Sequence, residues 1–147
     1  MVYNKIFEND DDIFIMNIEK ETLENNNFRK VLYTADMQQI VVMSLKPHDV
    51  VDMELHKDHD QFMRIEKGMG KLYIGRGREK NYDLYDGVSV IVPRNTWHEI
   101  VNSSETEDLK LYSIYSPPEH DSNRIDVSKP NSNLDIWTRD YIMYFHT

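Results

Sequence analysis

No cysteine occurs anywhere in the 147-residue chain, so neither a disulfide framework nor a thiolate site is possible. The sequence also has no apolar run near the roughly 20 residues that a membrane-spanning helix needs, so we expect no membrane partner. Its first residues lack a cationic segment followed by a long apolar one, which predicts that there is no signal peptide. These absences are typical of a protein in a reducing compartment, and we expect a cytoplasmic location.

Basic residues are scarce relative to acidic ones. The chain has 17 Lys and Arg residues against 26 Asp and Glu residues, which gives a formal net charge of -9. A surface of this sign repels phosphate backbones, so we expect no nucleic-acid partner. A local basic pocket remains compatible with the binding of a small anion.

Several signatures of known enzyme classes are also missing. The sequence has no glycine-rich phosphate loop, no nucleophile elbow and no zinc knuckle of Cys and His. Long apolar stretches with the helical period are absent between residues 13 and 115. A chain of this length is expected to form one domain around one core.

What is present is a series of short β-rich segments separated by turn residues. Spacings of about 8–12 residues between such segments are typical of an antiparallel sandwich or barrel, and the fold class is predicted to be all-β. The predicted strands are Ile13–Ile18, Phe28–Thr34, Gln39–Leu45, Val50–His56, Phe62–Glu66, Lys71–Ile74, Tyr82–Leu84, Ser89–Val92, His98–Val101 and Leu109–Tyr115.

The two ends of the chain differ in composition from the middle. Residues 1–12 are expected to be a loose leader, residues 13–120 the barrel and residues 121–147 a C-terminal arm. The last part of the arm, Leu134–Phe145, is strongly aromatic with apolar residues near helical spacing, which favours a short helix. An aromatic tail is costly to leave in water, so we expect it to pack on its own barrel or on a second subunit, and we predict a homodimer.

Two polar clusters lie on the predicted strands. The first reads Glu54-x-His56-x4-Gln61 and the second contains His98. Side chains two residues apart on a strand share a face, so Glu54 and His56 are expected to point the same way, and a closed sheet brings His98 and Gln61 to them. Two imidazoles and one carboxylate are the ligand set of non-haem Fe(II) and also suit Zn, Mn or Ni. We therefore predict a divalent metal ion bound by Glu54, His56, Gln61 and His98, with Gln61 supplying a neutral oxygen.

Other polar residues are candidates for roles near this site. Glu119 and His120 follow two rigid prolines and are predicted to be catalytic, as acid, base or anion contact at the barrel mouth. His59 is expected to be a solvated loop residue rather than a substitute ligand. The arginines considered as phosphate contacts are Arg64, Arg76, Arg78 and Arg94, of which Arg76 and Arg78 are expected to be plain surface residues.

The second cluster belongs to a longer frame that resembles a motif of the cupin superfamily. That motif, G-x5-P-x-G-x2-H-x3-N, corresponds here to Gly87, Pro93, Asn95, His98 and Asn102. The one departure is Asn95 in place of glycine. Because Asn tolerates a left-handed backbone, we expect the turn to survive.

The first cluster resembles the other cupin motif, G-x5-H-x-H-x3,4-E-x6-G, in a more eroded form. His48 stands at the leading glycine, Glu54 replaces the first histidine and Gln61 replaces the glutamate, whereas His56 and Gly68 match. Two of the four ligand positions therefore differ from the common set.

Further segments resemble a small single-domain branch of cupins that is often labelled as similar to mannose-6-phosphate isomerase. They are Asn17-Ile-Glu-Lys, Asn27-Phe-Arg-Lys-Val-Leu-Tyr33, Asp60-Gln-Phe62 and Tyr115-Ser-Pro-Pro-Glu-His120, and the resemblance covers residues 13–120. It implies a double-stranded β-helix, the jelly-roll barrel, with a metal inside and a small polar molecule at the mouth.

Three functions stay open at this point. The first is the isomerisation or epimerisation of a sugar or sugar phosphate, in which a metal acidifies a C–H bond next to chelated oxygens. The second is an Fe(II)-dependent dioxygenase, which the His/His/carboxylate set favours. The third is a non-catalytic small-molecule binder or structural subunit, which the eroded first motif permits.

Overall fold

The computed structural model describes residues 13–130, which form one short helix and ten strands. The all-β prediction is confirmed. The predicted leader, residues 1–12, and the predicted helix over Leu134–Phe145 lie outside the described residues. The elements are α1 (Ile18–Glu24), β1 (Arg29–Thr34), β2 (Gln39–Leu45), β3 (Val50–Glu54), β4 (Asp60–Lys67), β5 (Met69–Ile74), β6 (Lys80–Tyr85), β7 (Ser89–Val92), β8 (His98–Asn102), β9 (Leu109–Ser116) and β10 (Ile125–Asp126).

The strands form two antiparallel sheets. One has the order β10-β1-β2-β9-β4-β7 and the other has the order β3-β8-β5-β6. From β2 to β9 the chain passes from one sheet to the other at every connection except the β5–β6 hairpin. This alternation makes a jelly roll, and it places residues that are distant in sequence on facing inner surfaces.

The core lies between the two sheets. Met63 and Ile65 of β4 are fully buried and share a face with Gln61, as alternation along the strand requires. Strand β2 is buried on both faces, because α1 contacts β2, β4 and β9 on the outer side of the larger sheet. Among the described residues, no helix is long and apolar enough to cross a membrane.

The predicted first strand, Ile13–Ile18, is wrong. Residues 13–17 have no regular structure, and α1 begins at Ile18. The side chain of Asn17 caps the helix by accepting a hydrogen bond from the backbone N–H of Lys20 at 3.0 Å. Glu19 and Glu21 in the first turn add favourable charge next to the helix dipole. These local signals outweigh the β-branched residues on which the strand was predicted.

The predicted strand Val50–His56 is two residues too long. Strand β3 ends at Glu54, and its pairing with β8 is irregular between Val51 and Glu54. His56 lies in the following loop, where its carbonyl accepts a hydrogen bond from the backbone N–H of Asn95 at 2.7 Å. The loop is therefore tied to the turn before β8 rather than extended along the sheet.

Two motif positions where glycine is usual have a left-handed backbone here without glycine. Asn95 has φ of 66° and His48 has φ of 68°. The prediction that the turn at Asn95 survives is confirmed, because Asn reaches this region at low cost. Gly68, by contrast, cannot be replaced, since a Cβ atom there would lie 2.3 Å from the carbonyl oxygen of Asp108.

Candidate metal centre

Three of the four predicted ligands converge at the junction of β3 and β8. Glu54 ends β3 and His98 begins β8, and the two residues are cross-strand partners. Oε1 of Glu54 lies 3.1 Å from Nε2 of His56 and 3.7 Å from Nε2 of His98. These three side chains can offer one carboxylate oxygen and two ring nitrogens to a single ion. Their role as ligands stays a prediction.

The hydrogen bonding of His98 prepares its ring for a metal. His98 is 1% exposed, and its Nδ1 donates a hydrogen bond to the carbonyl oxygen of Thr96 at 2.8 Å. The proton on Nδ1 leaves the lone pair on Nε2, which is buried without a hydrogen-bond partner. Histidine ligands of metals generally have this arrangement, with the second nitrogen fixed by a carbonyl or carboxylate.

The side-chain amide of Gln61 has hydrogen-bond partners at its nitrogen but none at its oxygen. Its Nε2 donates hydrogen bonds to Oγ of Ser113 at 3.0 Å and to Oη of Tyr115 at 3.3 Å. Its Oε1 is buried and has no hydrogen-bond partner. Because a buried amide oxygen without a partner is costly, this atom fits the predicted neutral fourth ligand. The donor set of two imidazoles, one carboxylate and one amide oxygen therefore fits a divalent ion.

The electrostatics of the cluster favour a positive charge among these groups. Burial alone would raise the pKa of Glu54, but the neighbouring rings of His56 and His98 hold it well below its usual range. Burial alone would lower the pKa of His98, but the neighbouring carboxylate of Glu54 raises it on balance. Without a metal, a proton can supply the positive charge that the carboxylate attracts.

A second group shares His56 with the first. Nδ1 of His59 lies 2.9 Å from Oε2 of Glu119, and Nδ1 of His56 lies 3.8 Å from the same oxygen. The prediction that His59 is a solvated loop residue is wrong, because its side chain is 4% exposed. Its ring packs edge-on against Tyr115 with centroids 5.2 Å apart. The burial arises from contacts with β9 and the 119–120 segment, which no local sequence signal around His59 reveals.

Glu119 and His120 are held beside the cluster by a buried side chain of β2. Oε1 of Gln39 accepts hydrogen bonds from the backbone N–H groups of Glu119 at 3.1 Å and His120 at 2.8 Å. Nε2 of Gln39 donates to the carbonyl oxygen of His120 at 2.7 Å. The two residues predicted to be catalytic therefore lie next to the predicted ligands, and their catalytic role stays a prediction.

The charges of these two residues are shifted in different ways. Burial would raise the pKa of Glu119, but the hydrogen bond and charge of His59 lower it, so the carboxylate is ionised at neutral pH. Burial and the positive charges of Arg29 and Arg124 lower the pKa of His120 to about 4, so its ring is neutral. The site thus pairs an ionised acid with a neutral imidazole.

A cavity of about 170 Å³ opens beside the cluster. Glu54, His56 and Glu119 line it together with Arg29 and Arg124. Among the described residues that line this cavity, none is one of the four arginines predicted as phosphate contacts. Two of them are engaged elsewhere, since Arg64 pairs with Glu66 and Arg78 pairs with Glu99. The cations at the cavity come from β1 and from the segment after β9, which the sequence alone did not connect with the site.

Comparison with known proteins agrees with this architecture. The chain is 42% identical over 127 residues to the uncharacterized protein L612 of Acanthamoeba polyphaga mimivirus, covering 86% of this chain and 79% of that protein. The crystal structure of BH2720 from Bacillus halodurans superposes with a TM-score of 0.75 at 35% identity, covering 78% of this chain and 89% of that one.

A shorter match links the chain to a probable oxalate decarboxylase of Arthroderma benhamiae, with 30% identity over 76 residues, which are 50% of this chain and 19% of that protein. The family model for the Cupin domain matches residues 41–115. That match runs from β2 to β9 and contains both motif segments, in agreement with the double-stranded β-helix described above. This chain therefore belongs to the cupin family.

Proposed function

We propose that this protein is a metal-dependent enzyme that moves a proton within a small polar molecule, as in the isomerisation or epimerisation of a sugar or sugar phosphate. The observation that supports this reaction most directly is the contact between buried His59 and the more exposed Glu119, which lies beside the Glu54, His56 and His98 cluster. A proton transfer next to a metal needs a base within reach of the bound molecule. The pair supplies such a base.

A divalent ion held by Glu54, His56, Gln61 and His98 would polarise a substrate oxygen and make the neighbouring C–H bond more acidic. Zn, Mn, Fe and Ni all accept this donor set. The unpartnered Nε2 of His98 and Oε1 of Gln61 support the binding of such an ion.

The roles of the chain's own residues follow from their hydrogen bonds. The ionised Glu119 accepts the Nδ1–H of His59, which fixes the tautomer of that ring and leaves the lone pair on Nε2. Nε2 of His59 is buried without a partner, so it can take a proton from one carbon of the substrate and return it to the neighbouring carbon. Glu119 then acts through His59 as a positioning residue.

His120 is suited to a different task. Its Nδ1 accepts a hydrogen bond from a guanidinium nitrogen of Arg124 at 3.2 Å, so the neutral ring has its proton on Nε2. That atom is also buried without a partner. We propose that it donates a hydrogen bond to a substrate oxygen, which would hold the molecule while the proton moves.

An Fe(II)-dependent dioxygenase is the second candidate, because Glu54, His56 and His98 have the composition of the facial triad. With Gln61 as a fourth ligand, two positions of an octahedron would stay open. The proposal of a cytoplasmic homodimer accompanies either function, and sedimentation of the purified protein checks the dimer.

The test begins with elemental analysis of protein purified without added metal. We expect a stoichiometric divalent metal that is lost in His56→Ala and His98→Ala. A folded wild-type protein without metal would overturn the metal centre.

The substrates to be tried are sugars and sugar phosphates. Small carboxylic acids are added because of the partial match to a probable oxalate decarboxylase.

Proton movement is then followed in D2O by NMR, as exchange of a substrate C–H for deuterium. We expect His59→Gln to keep its metal and to slow exchange by about 100-fold or more, since general base catalysis is worth roughly that much. His48→Asn, at an exposed histidine with a left-handed backbone, is the matched control and should retain full exchange. Oxygen uptake with iron alone, and no exchange anaerobically with Zn or Mn, would favour the dioxygenase instead.

A further inference from the structure

Two arginines at the cavity share one carboxylate. Arg29 of β1 and Asp126 of β10 are cross-strand partners, and a guanidinium nitrogen of Arg29 lies 2.9 Å from Oδ2 of Asp126. Nε of Arg124 lies 3.0 Å from the same oxygen. One negative charge therefore faces two positive charges, and this group of three side chains carries a net positive charge.

Arg29 is unusual because it is buried and incompletely paired. The residue is 8% exposed, and its Nε has no hydrogen-bond partner. Burying a guanidinium group is costly unless its donors are satisfied. A buried cation that keeps a free donor beside a cavity is suited to an anion that enters from that cavity.

The unsatisfied buried atoms of the described chain concentrate in this region. They include Nε of Arg29, Nε2 of His120, Nε2 of His59, Nε2 of His98 and Oε1 of Gln61. Arg29 and Arg124 line the same cavity as Glu54, His56 and Glu119. A molecule in the cavity can therefore contact both the two arginines and the candidate metal ligands Glu54 and His56.

We propose that Arg29 and Arg124 form a subsite for an oxyanion, the carboxylate or phosphate group of the small molecule on which the metal centre acts. This inference rests on the proposed function and narrows it to anionic substrates. The cavity of about 170 Å³ lies below the roughly 300–1,000 Å³ typical of pockets for drug-sized ligands, which favours a compact substrate.

Asp126 and His120 connect the subsite to the reaction. Asp126 occupies the two guanidinium groups in part and competes with an incoming anion for their charge. Arg124 also donates a hydrogen bond to Nδ1 of His120, so the subsite is linked directly to the 119–120 segment. An anion bound by Arg124 would thus be aligned with the groups proposed to handle the proton.

Calorimetric titration of the purified full-length protein with inorganic phosphate and, separately, with malonate tests the subsite. We expect Arg124→Gln to weaken binding of at least one anion by about 10-fold or more, since a hydrogen bond to a charged group is worth roughly that factor. Lys71→Gln removes the same charge from an exposed site paired with Asp83 and should leave binding unchanged. Whichever of the two anions binds more tightly indicates whether the substrate carries a phosphate or a carboxylate group.

Asp126→Asn provides a second test with the opposite sign. It removes the competing carboxylate, so we expect the thermal stabilisation by the preferred anion to exceed that of the wild type. A purely structural role for the three residues predicts no such gain. Equal anion affinity in Arg124→Gln and Lys71→Gln, or no anion binding by the wild type, would overturn the subsite.

The variant His98→Ala separates the two proposals. If anion binding depends on His98 and not on Arg124, the subsite is wrong and the metal-dependent function stands. If binding depends on Arg124 while no metal is found and no substrate is converted, the function is wrong and the subsite stands.

Discussion

The histidines of the cluster differ in charge and tautomer because each has different partners. His98 donates to a backbone carbonyl and faces the carboxylate of Glu54, whereas His120 accepts from Arg124. His59 faces Glu119. Histidines that lie within a few ångströms of one another thus differ in charge and tautomer, because each has a different neighbouring hydrogen-bond donor or acceptor.

The low pKa of His120 predicts a specific dependence of stability on pH. Its folded-state pKa of about 4 lies below the unfolded value of about 6.5, so the unfolded chain binds more protons between these limits. The contribution to stability is complete above pH 6.5 and is lost as the pH falls toward 4. Because the side chain is partly exposed, we expect a loss of about 1–3 kcal/mol.

Urea unfolding at pH 7 and pH 5 in the presence of a chelator measures this loss. His120→Asn keeps an acceptor for Arg124 but does not titrate, so its stability should fall less between the two pH values than that of the wild type. His98, whose pKa is raised, contributes with the opposite sign in both proteins and cancels in the comparison. Equal pH dependence in the two proteins would contradict the prediction.

At the scale of elements, β2 positions the segment that follows β9. Gln39 is 1% exposed, and its amide binds the backbone of Glu119 and His120 and also the hydroxyl of Thr34. All four of its hydrogen-bonding positions are occupied. A strand outside the metal cluster therefore determines where the proposed positioning residue lies.

Replacing Gln39 should release that segment. Gln39→Met keeps the volume of the side chain but leaves two backbone N–H groups without acceptors, so we expect a loss of about 2–4 kcal/mol in the free energy of unfolding. Hydrogen exchange of the amides of Glu119 and His120 should become faster. Thr34→Val removes a single hydrogen bond and should cost about 1 kcal/mol without affecting those amides.

The elements differ in how far the sequence determines them. Alternation and turn residues predicted nine of the ten strands within a few residues, since both signals are local. The helix α1 was not predicted, because its cap at Asn17 is a single-residue signal that lies within the β-branched segment Ile13–Ile18. The end of β3 was misplaced because a tertiary hydrogen bond from Asn95 draws His56 away from the sheet.

For the whole molecule, the candidate site is made by the closure of the two sheets. Glu54 and His98 come from the smaller sheet and Gln61 from the larger one. Motif spacing was sufficient to predict that Glu54, His56 and His98 come together. It was insufficient for His59, Arg29 and Arg124, because their approach to the site depends on how β1 and the segments after β3 and β9 pack together rather than on any local pattern.

A metal that contacts both sheets should stabilise the closed barrel, and its removal is the test at this scale. A ligand present at about 100 times its dissociation constant stabilises the folded state by about 2.7 kcal/mol. For a chain of this size each kcal/mol shifts Tm by roughly 2–4 °C, so a chelator should lower Tm by about 8 °C. Scanning fluorimetry with and without chelator measures the shift.

Two variants serve as controls. His98→Ala, which lacks one predicted ligand, should respond little to the chelator. Gln61→Leu should show an intermediate shift because it keeps both imidazoles and the carboxylate. An unchanged Tm of the wild type on chelation would mean that no metal is bound by residues of the two sheets.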